Sequence, residues 1–217
     1  MSKRLYRQQS QIYTERKDRN GNVSCEANLY RGSSGTVPKD PDIYAGYIAD
    51  KAALDDEQLA EELATVERIE EKGWTGFHVL DGKPILYDYV IKGFLKDACG
   101  MLRRVSDTKS SKLRAYKKVI DGLVFASPRR IPLMIPKGAK MGVMERPLRA
   151  QTAQGERVTL ARSDTCPIGT VLEFELTVLG VVSEKLLREW LDYGQRRGFG
   201  QWRNASYGRF EYEMEKQ

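Results

Sequence analysis

The chain has 217 residues, of which 41% are hydrophobic and 30% charged, and its net charge is +6. That composition excludes a disordered chain and suits one domain large enough to bury a core without staples. No apolar run is long enough to cross a bilayer and the opening Met1 to Tyr6 carries no apolar leader, so a cytoplasmic protein with no membrane partner is expected.

Cys25, Cys99 and Cys166 are an odd number and lie far apart. Their spacing argues against a disulfide framework and a zinc site, and no cofactor or metal is expected. Charge is unevenly spread. Asp55, Asp56, Glu57, Glu61, Glu62, Glu67, Glu70 and Glu71 concentrate acid in one segment, which leaves the remainder more basic than the total.

In chain order, Leu5 to Arg16 reads as a strand with imperfect alternation. Asn20-Gly21 predicts a turn, and the Gly/Ser/Pro-rich run from Gly32 to Pro41 predicts irregular, mobile chain. A helix follows, capped by Asp55 with Gln58 at the capping-box position; Leu59, Leu63, Val66 and Ile69 form its stripe, and Lys72-Gly73 ends it. Asp81-Gly82 makes a turn after the run Phe77 to Leu80. A second helix is predicted from about Tyr87 to Val105, with Gly93 in its interior at a cost of roughly 1 kcal/mol against Ala. Such a glycine implies close packing or a bound backbone.

Pro128, Pro132, Pro136 and Pro147 break the stretch from Leu123 to Leu160 into short β-like pieces suited to edges or bulged ribbons. Val171 to Leu179 is the clearest strand, with Leu172, Phe174, Leu176 and Val178 on one face and Glu173, Glu175 and Thr177 on the other. Ser183 caps a helix carrying Leu186, Leu187, Trp190 and Leu191, and Gly194 lies near its end. Arg209 to Met214 is a final strand. The strand–helix–strand ending, with the earlier strand and helix, predicts an α+β fold: a ferredoxin-like (RRM-like) βαββαβ core with inserted β-hairpins and an acidic helix. The whole chain, 1–217, is expected to be one domain, with 20–75 and 106–165 as elaborations.

The densest chemical signal runs from Arg196 to Phe210. Gly198, Gly200 and Gly208 can expose backbone N–H groups to a phosphate. Arg196, Arg197, Arg203 and Arg209 add bidentate donors, with Asn204 among them, and Trp202 and Tyr207 can stack on bases. The alternative is a tight turn with structural aromatics. Two other basic stretches stand out, Lys109 to Lys118 and a set of arginines on the β-like middle, including Arg129, Arg130, Arg146 and Arg149. Arginine on hairpins suits a ribbon that clasps a strand, and solubilising surface charge is the alternative. Phe125, Met134, Met141 and Met144 fit either wedges between bases or core positions. Asp88 with Asp97, or Glu173 with Glu175, have no third metal ligand, and no P-loop is present.

At Gly198-Phe199-Gly200 and Gly208 the chain resembles the RAMP superfamily, the ferredoxin-like RNA-binding proteins of CRISPR effector complexes. Pro84 to Lys96, with Lys92-Gly93 early in a helix, resembles that family's helix-opening segment beside bound RNA. The resemblance covers these two segments, and a phage or mobile-element relative would share it. It implies a non-catalytic, single-strand-binding protein, RNA rather than DNA, coating a guide RNA alongside further copies or other RAMP-like subunits. Lys92, Gly93 and Lys96 would then join the loop residues. Two alternatives stand beside it. One is a metal-independent endoribonuclease using His78, the only histidine, although a half-buried strand histidine is its ordinary role. The other is a protein-binding mimic or inhibitor of a CRISPR complex.

Overall fold

A computed structural model describes residues 21–49, 55–69, 73–152 and 155–216. The strand expected at Leu5 to Arg16 lies outside the described residues. Of the turn expected at Asn20-Gly21, Asn20 also lies outside the described residues; Gly21 opens β1 (Gly21–Leu29), whose Val23, Cys25, Ala27 and Leu29 alternate into the core. β1 is flanked by β10 (Thr170–Val178) and β11 (Glu211–Lys216), and β6 (Val124–Ser127) closes the other edge of β10. The order is β11-β1-β10-β6, and every neighbouring pair is antiparallel.

Two helices cover one face of this sheet. α3 (Asp88–Leu102) buries Ile91, Phe94, Leu95, Ala98 and Cys99, while α5 (Glu184–Arg197) buries Leu186, Leu187, Trp190 and Leu191. Ser183 caps α5, its hydroxyl accepting from Leu186 N–H at 3.3 Å. Trp190 is fully buried and donates its indole N–H to Ser110 Oγ at 2.9 Å. α4 (Tyr116–Leu123) leads into β6.

The segment before α3 departs from expectation. The run from Gly32 holds little regular structure, as expected, but it is packed: Ser33 and Ser34 are buried, and Ser34 Oγ meets Ser163 Oγ at 2.6 Å. β2 (Val37–Pro38) leads to α1 (Pro41–Ala49), whose start is held by Asp40 accepting from the backbone N–H of Asp42 at 2.9 Å. α2 (Asp56–Leu63) has the expected Asp55 cap, at 2.8 Å from Gln58 N–H, but stops ten residues short of Gly73. Leu59 and Leu63 pack with Val37, Tyr44, Ile48 and Val66 in a second, smaller core. β3 (Trp74–Gly76), β4 (His78–Leu80) and β5 (Lys83–Tyr87) follow, with Asp81-Gly82 turning the chain at positive φ as expected. β5 was not expected; it pairs with β4 and with β7 (Arg130–Pro132) and delivers the chain directly into α3.

The middle segment starts as the expected short pieces, β6 and β7, which end before Pro128 and at Pro132, and continues as a long hairpin that was not expected. β8 (Gly142–Thr152) and β9 (Gly155–Thr165) pair over their full length. Pro147 is accommodated because β8 is an edge strand, where a missing N–H faces no partner. Only Arg162 and Ser163, near the base, pair with a third strand, β3. The outer part therefore projects, with Leu148 and Val158 exposed.

Candidate nucleic-acid interface

Beyond α5 the chain forms a loop latched to itself. Phe199 N–H donates to Gly208 O at 3.1 Å, and Gly208 N–H donates to Gly32 O at 2.6 Å. Gly208 has φ +74°, and a Cβ there would lie 1.9 Å from Phe199 O; a Cβ on Gly198 would lie 2.6 Å from Tyr207 O. These two glycines serve the loop's own closure. Phe199 anchors the loop against Phe94 and Phe210, at ring-centroid separations of 6.3 and 5.4 Å.

Asp97 on α3 ties the loop down from the other side. It accepts from Arg203 at 2.6 Å and from Arg197 at 3.3 Å, and Arg197 also donates to Asn204 Oδ1 at 3.2 Å. Two guanidiniums share one carboxylate, so positive charge remains. Arg146 reaches across from β8 and lies over the Trp202 ring, 5.3 Å from its centroid. Among the described residues it has no carboxylate partner. Arg146, Arg197, Gln201, Trp202, Arg203 and Asn204 line an open groove of about 640 Å³. Arg196 is exposed beside it, and Tyr207 and Arg209 are half-buried in the same loop.

The other predicted residues do not converge there. Lys96 pairs with Asp121 at 2.5 Å, and Lys92 donates to Asp121 O at 3.2 Å while lying over Phe125, so both turn toward α4 and β6. Arg129 binds Glu62 at 2.9 Å and Arg130 binds Glu61, which commits them to α2. Arg149 is an exposed hairpin residue 3.7 Å from Glu156. Gly93 is exposed and, among the described residues, nothing lies within 4 Å of the place a Cβ would take.

Behind α3 lies a buried polar cluster absent from the sequence reading. Glu62 is 0% exposed and accepts from Tyr44 OH at 2.7 Å, Tyr89 OH at 3.3 Å and Arg129. His78 is buried, with Nε2 3.2 Å from Tyr44 OH and Nδ1 2.9 Å from Thr65 Oγ1. Thr65 Oγ1 donates its proton to Glu62 O at 2.7 Å, so His78 Nδ1–H donates to Thr65 Oγ1 and Nε2 faces the Tyr44 hydroxyl. Burial raises the Tyr44 and Tyr89 hydroxyls well above the ordinary range, keeping them as donors, and lowers His78 to about 4.

The groups facing His78 are Tyr44 from α1, Thr65 just beyond α2 and Tyr87 from β5, with Glu62 bonded behind Tyr44 and Thr65. A depressed histidine value means that the unfolded chain binds the extra proton first as pH falls. Stability is thus whole above about pH 6.5 and is lost toward pH 4, by up to about 3 kcal/mol. Urea unfolding across that window is expected to show the slope in the native chain and its loss in His78→Gln.

The opposite face of the main sheet is acidic. Glu213, Glu26 and Glu173 sit side by side across three strands, and Glu215 and Glu175 flank Ser24 in the next row. All five are exposed, and with Pro128, Pro132 and Met134 they border a cavity of about 740 Å³. Among the described residues, no group of three His, Cys, Asp or Glu is placed to hold a metal. Burial pushes the Cys25 and Cys166 thiols up to about 12, which removes them as nucleophiles at neutral pH. Among the described residues no helix is long and apolar enough to cross a membrane.

No protein-family model matches this sequence, and no curated protein matches it. Solved structures do. A chain of the type III-B Cmr-beta complex bound to cognate target RNA, seen by cryo-electron microscopy, superposes with a TM-score of 0.54 at 11% identity, covering 99% of this chain and 66% of that one. A chain of a type IV-B CRISPR complex aligns at 0.43 and 11% identity, covering 89% of this chain and 90% of that one. The present chain thus spans just under two thirds of the Cmr-beta chain, and it shares with it a mixed α+β fold.

Proposed function

We propose that this chain binds single-stranded nucleic acid, RNA in preference to DNA, without cleaving it, as a RAMP-like subunit of a CRISPR-type effector assembly or a phage relative of one. The observation that carries the reading is the groove in which Arg146 of the projecting hairpin lies over Trp202 of the Gly-rich loop. It combines guanidinium groups for phosphates with an aromatic face for a base, the pairing that sequence-tolerant strand binding requires. The acidic sheet face repels a polyanion, which leaves the helix-and-loop side as the binding side. The strand order β11-β1-β10-β6, with α3 and α5 on one face, supports a ferredoxin-like βαββαβ core within one domain. α1, α2, β2–β5 and β7–β9 would be its elaborations. The fold shared with a chain of the RNA-bound Cmr-beta complex supports further subunits as partners.

His78 does not favour the endoribonuclease reading. A general base must reach the 2′-hydroxyl, whereas both ring nitrogens here are engaged inside the protein.

Fluorescence anisotropy against salt tests the proposal. Neutralising a few phosphates of a single strand gives a log–log salt slope of roughly −2 to −4, and Arg146→Ala is expected to reduce it by about 0.7. Trp202→Ala should weaken binding roughly ten-fold at any salt. No binding to single-stranded RNA or DNA near about 50 mM salt would overturn the reading.

A further inference from the structure

Resting on that reading, we infer that the cavity between the start of α3 and the Gly-rich loop accepts one nucleobase turned out of the bound strand. The cavity measures about 280 Å³, and Tyr44, Tyr47, His78, Tyr89, Gly93 and Gly200 are among its lining residues. That volume lies near the lower end of small-ligand sites, roughly 300 Å³, and suits one flat ring system rather than a run of nucleotides.

Three observations point to such an occupant. Gly93 lines the cavity from a helix interior, where glycine costs roughly 1 kcal/mol, yet among the described residues nothing occupies its missing side chain's place. The glycine leaves that side of the cavity open to solvent. Next, three tyrosines line it: Tyr44 is buried, while Tyr47 and Tyr89 are partly open to solvent at 51% and 37%. Aromatic walls favour a stacked heterocycle. Finally, Gly200 and Arg203 line both this cavity and the arginine groove, so a strand whose phosphates follow the groove passes the cavity mouth. The floor, built from Tyr44 and His78, is neutral and its polar atoms are already paired, so it accepts a base without leaving its own groups unsatisfied.

Gly93→Leu separates this role from folding. Leucine is a strong helix former and its Cβ meets no atom, so the melting temperature is expected to hold or rise while the side chain fills the void. The probes are RNA strands of about 12 nucleotides carrying 2-aminopurine at alternating positions, the same strands with abasic sites at those positions, and free 2-aminopurine riboside. The native chain is expected to change the 2-aminopurine emission on binding and to hold the abasic strand roughly ten-fold more weakly. Gly93→Leu should abolish the emission change and bind both strands at the abasic level. Binding of both strands by Gly93→Leu as in the native chain, with the emission change kept, would overturn the inference and leave strand binding intact. An absent anisotropy rise with every strand would instead overturn the proposed function and the inference together, and riboside binding in that case would assign the cavity to a free base.

Discussion

Glu62→Ala is expected to lower folding stability by about 3 kcal/mol, among the largest single-residue effects in the molecule, as read from urea unfolding. The carboxylate is wholly buried and accepts from Tyr44, Tyr89 and Arg129 at 2.7, 3.3 and 2.9 Å. Its removal takes from the Tyr44 hydroxyl its shortest contact and leaves it Tyr89 OH at 2.9 Å and His78 Nε2 at 3.2 Å, and disrupting such a buried network costs about 1–3 kcal/mol. Arg129 also loses its partner, but its side chain is 37% exposed, so water recovers part of that loss. The effects of Glu62→Ala and Arg129→Ala should therefore be markedly non-additive in a double-mutant cycle. A change below about 0.5 kcal/mol for Glu62→Ala would show that the cluster contributes nothing to stability.

Gly208→Ala is expected to cost about 3 kcal/mol and to unlatch the loop. Two causes add. A non-glycine residue at φ +74° is strained by about 1–2 kcal/mol, and the new Cβ would meet the Phe199 carbonyl oxygen at 1.9 Å. That oxygen is backbone, and moving it disturbs the 3.1 Å bond from Phe199 N–H to Gly208 O. Gly138→Ala is the control, since φ is +83° there and nothing lies within 4 Å. It should show the strain alone, about 1 kcal/mol. Equal losses at the two positions, with limited proteolysis finding the loop no more open, would remove the clash from the account.

Local pattern was enough for β10, α3 and α5, because each carries a full apolar face with its period intact and α5 has a side-chain cap. β1 escaped notice for the opposite reason. Its Gly, Asn, Ser, Cys and Ala have little intrinsic strand preference, and pairing on both sides overrides that deficit. α1 did announce itself, through Asp40 before Pro41 as cap and first-turn residue, but the surrounding Gly/Ser/Pro composition masked it. The long hairpin was hidden by Pro147, whose edge position only the pairing discloses.

The candidate site divides in the same way. The Gly-rich loop was legible as a cluster because its parts are contiguous. What holds it was not, since Asp97 stands 106 residues from Arg203 and contributes no local pattern. Glu62 looks in sequence like any other acid of a solvated helix; only the arrival of Arg129 and Tyr44 from distant segments makes its burial tolerable. Arg129 and Arg130, expected among the phosphate-facing residues, meet Glu62 and Glu61 of α2 in this chain.

The rows of glutamate on the open sheet face have a kinetic consequence. A net charge of +6 conceals a molecule with two unlike sides, and a polyanion drifting toward it feels a torque before it feels a contact. Approach over the glutamates is slowed, and approach over the arginines is drawn in. Collisions are thereby sorted by orientation at low ionic strength, and added salt erodes this steering as the screening length shrinks.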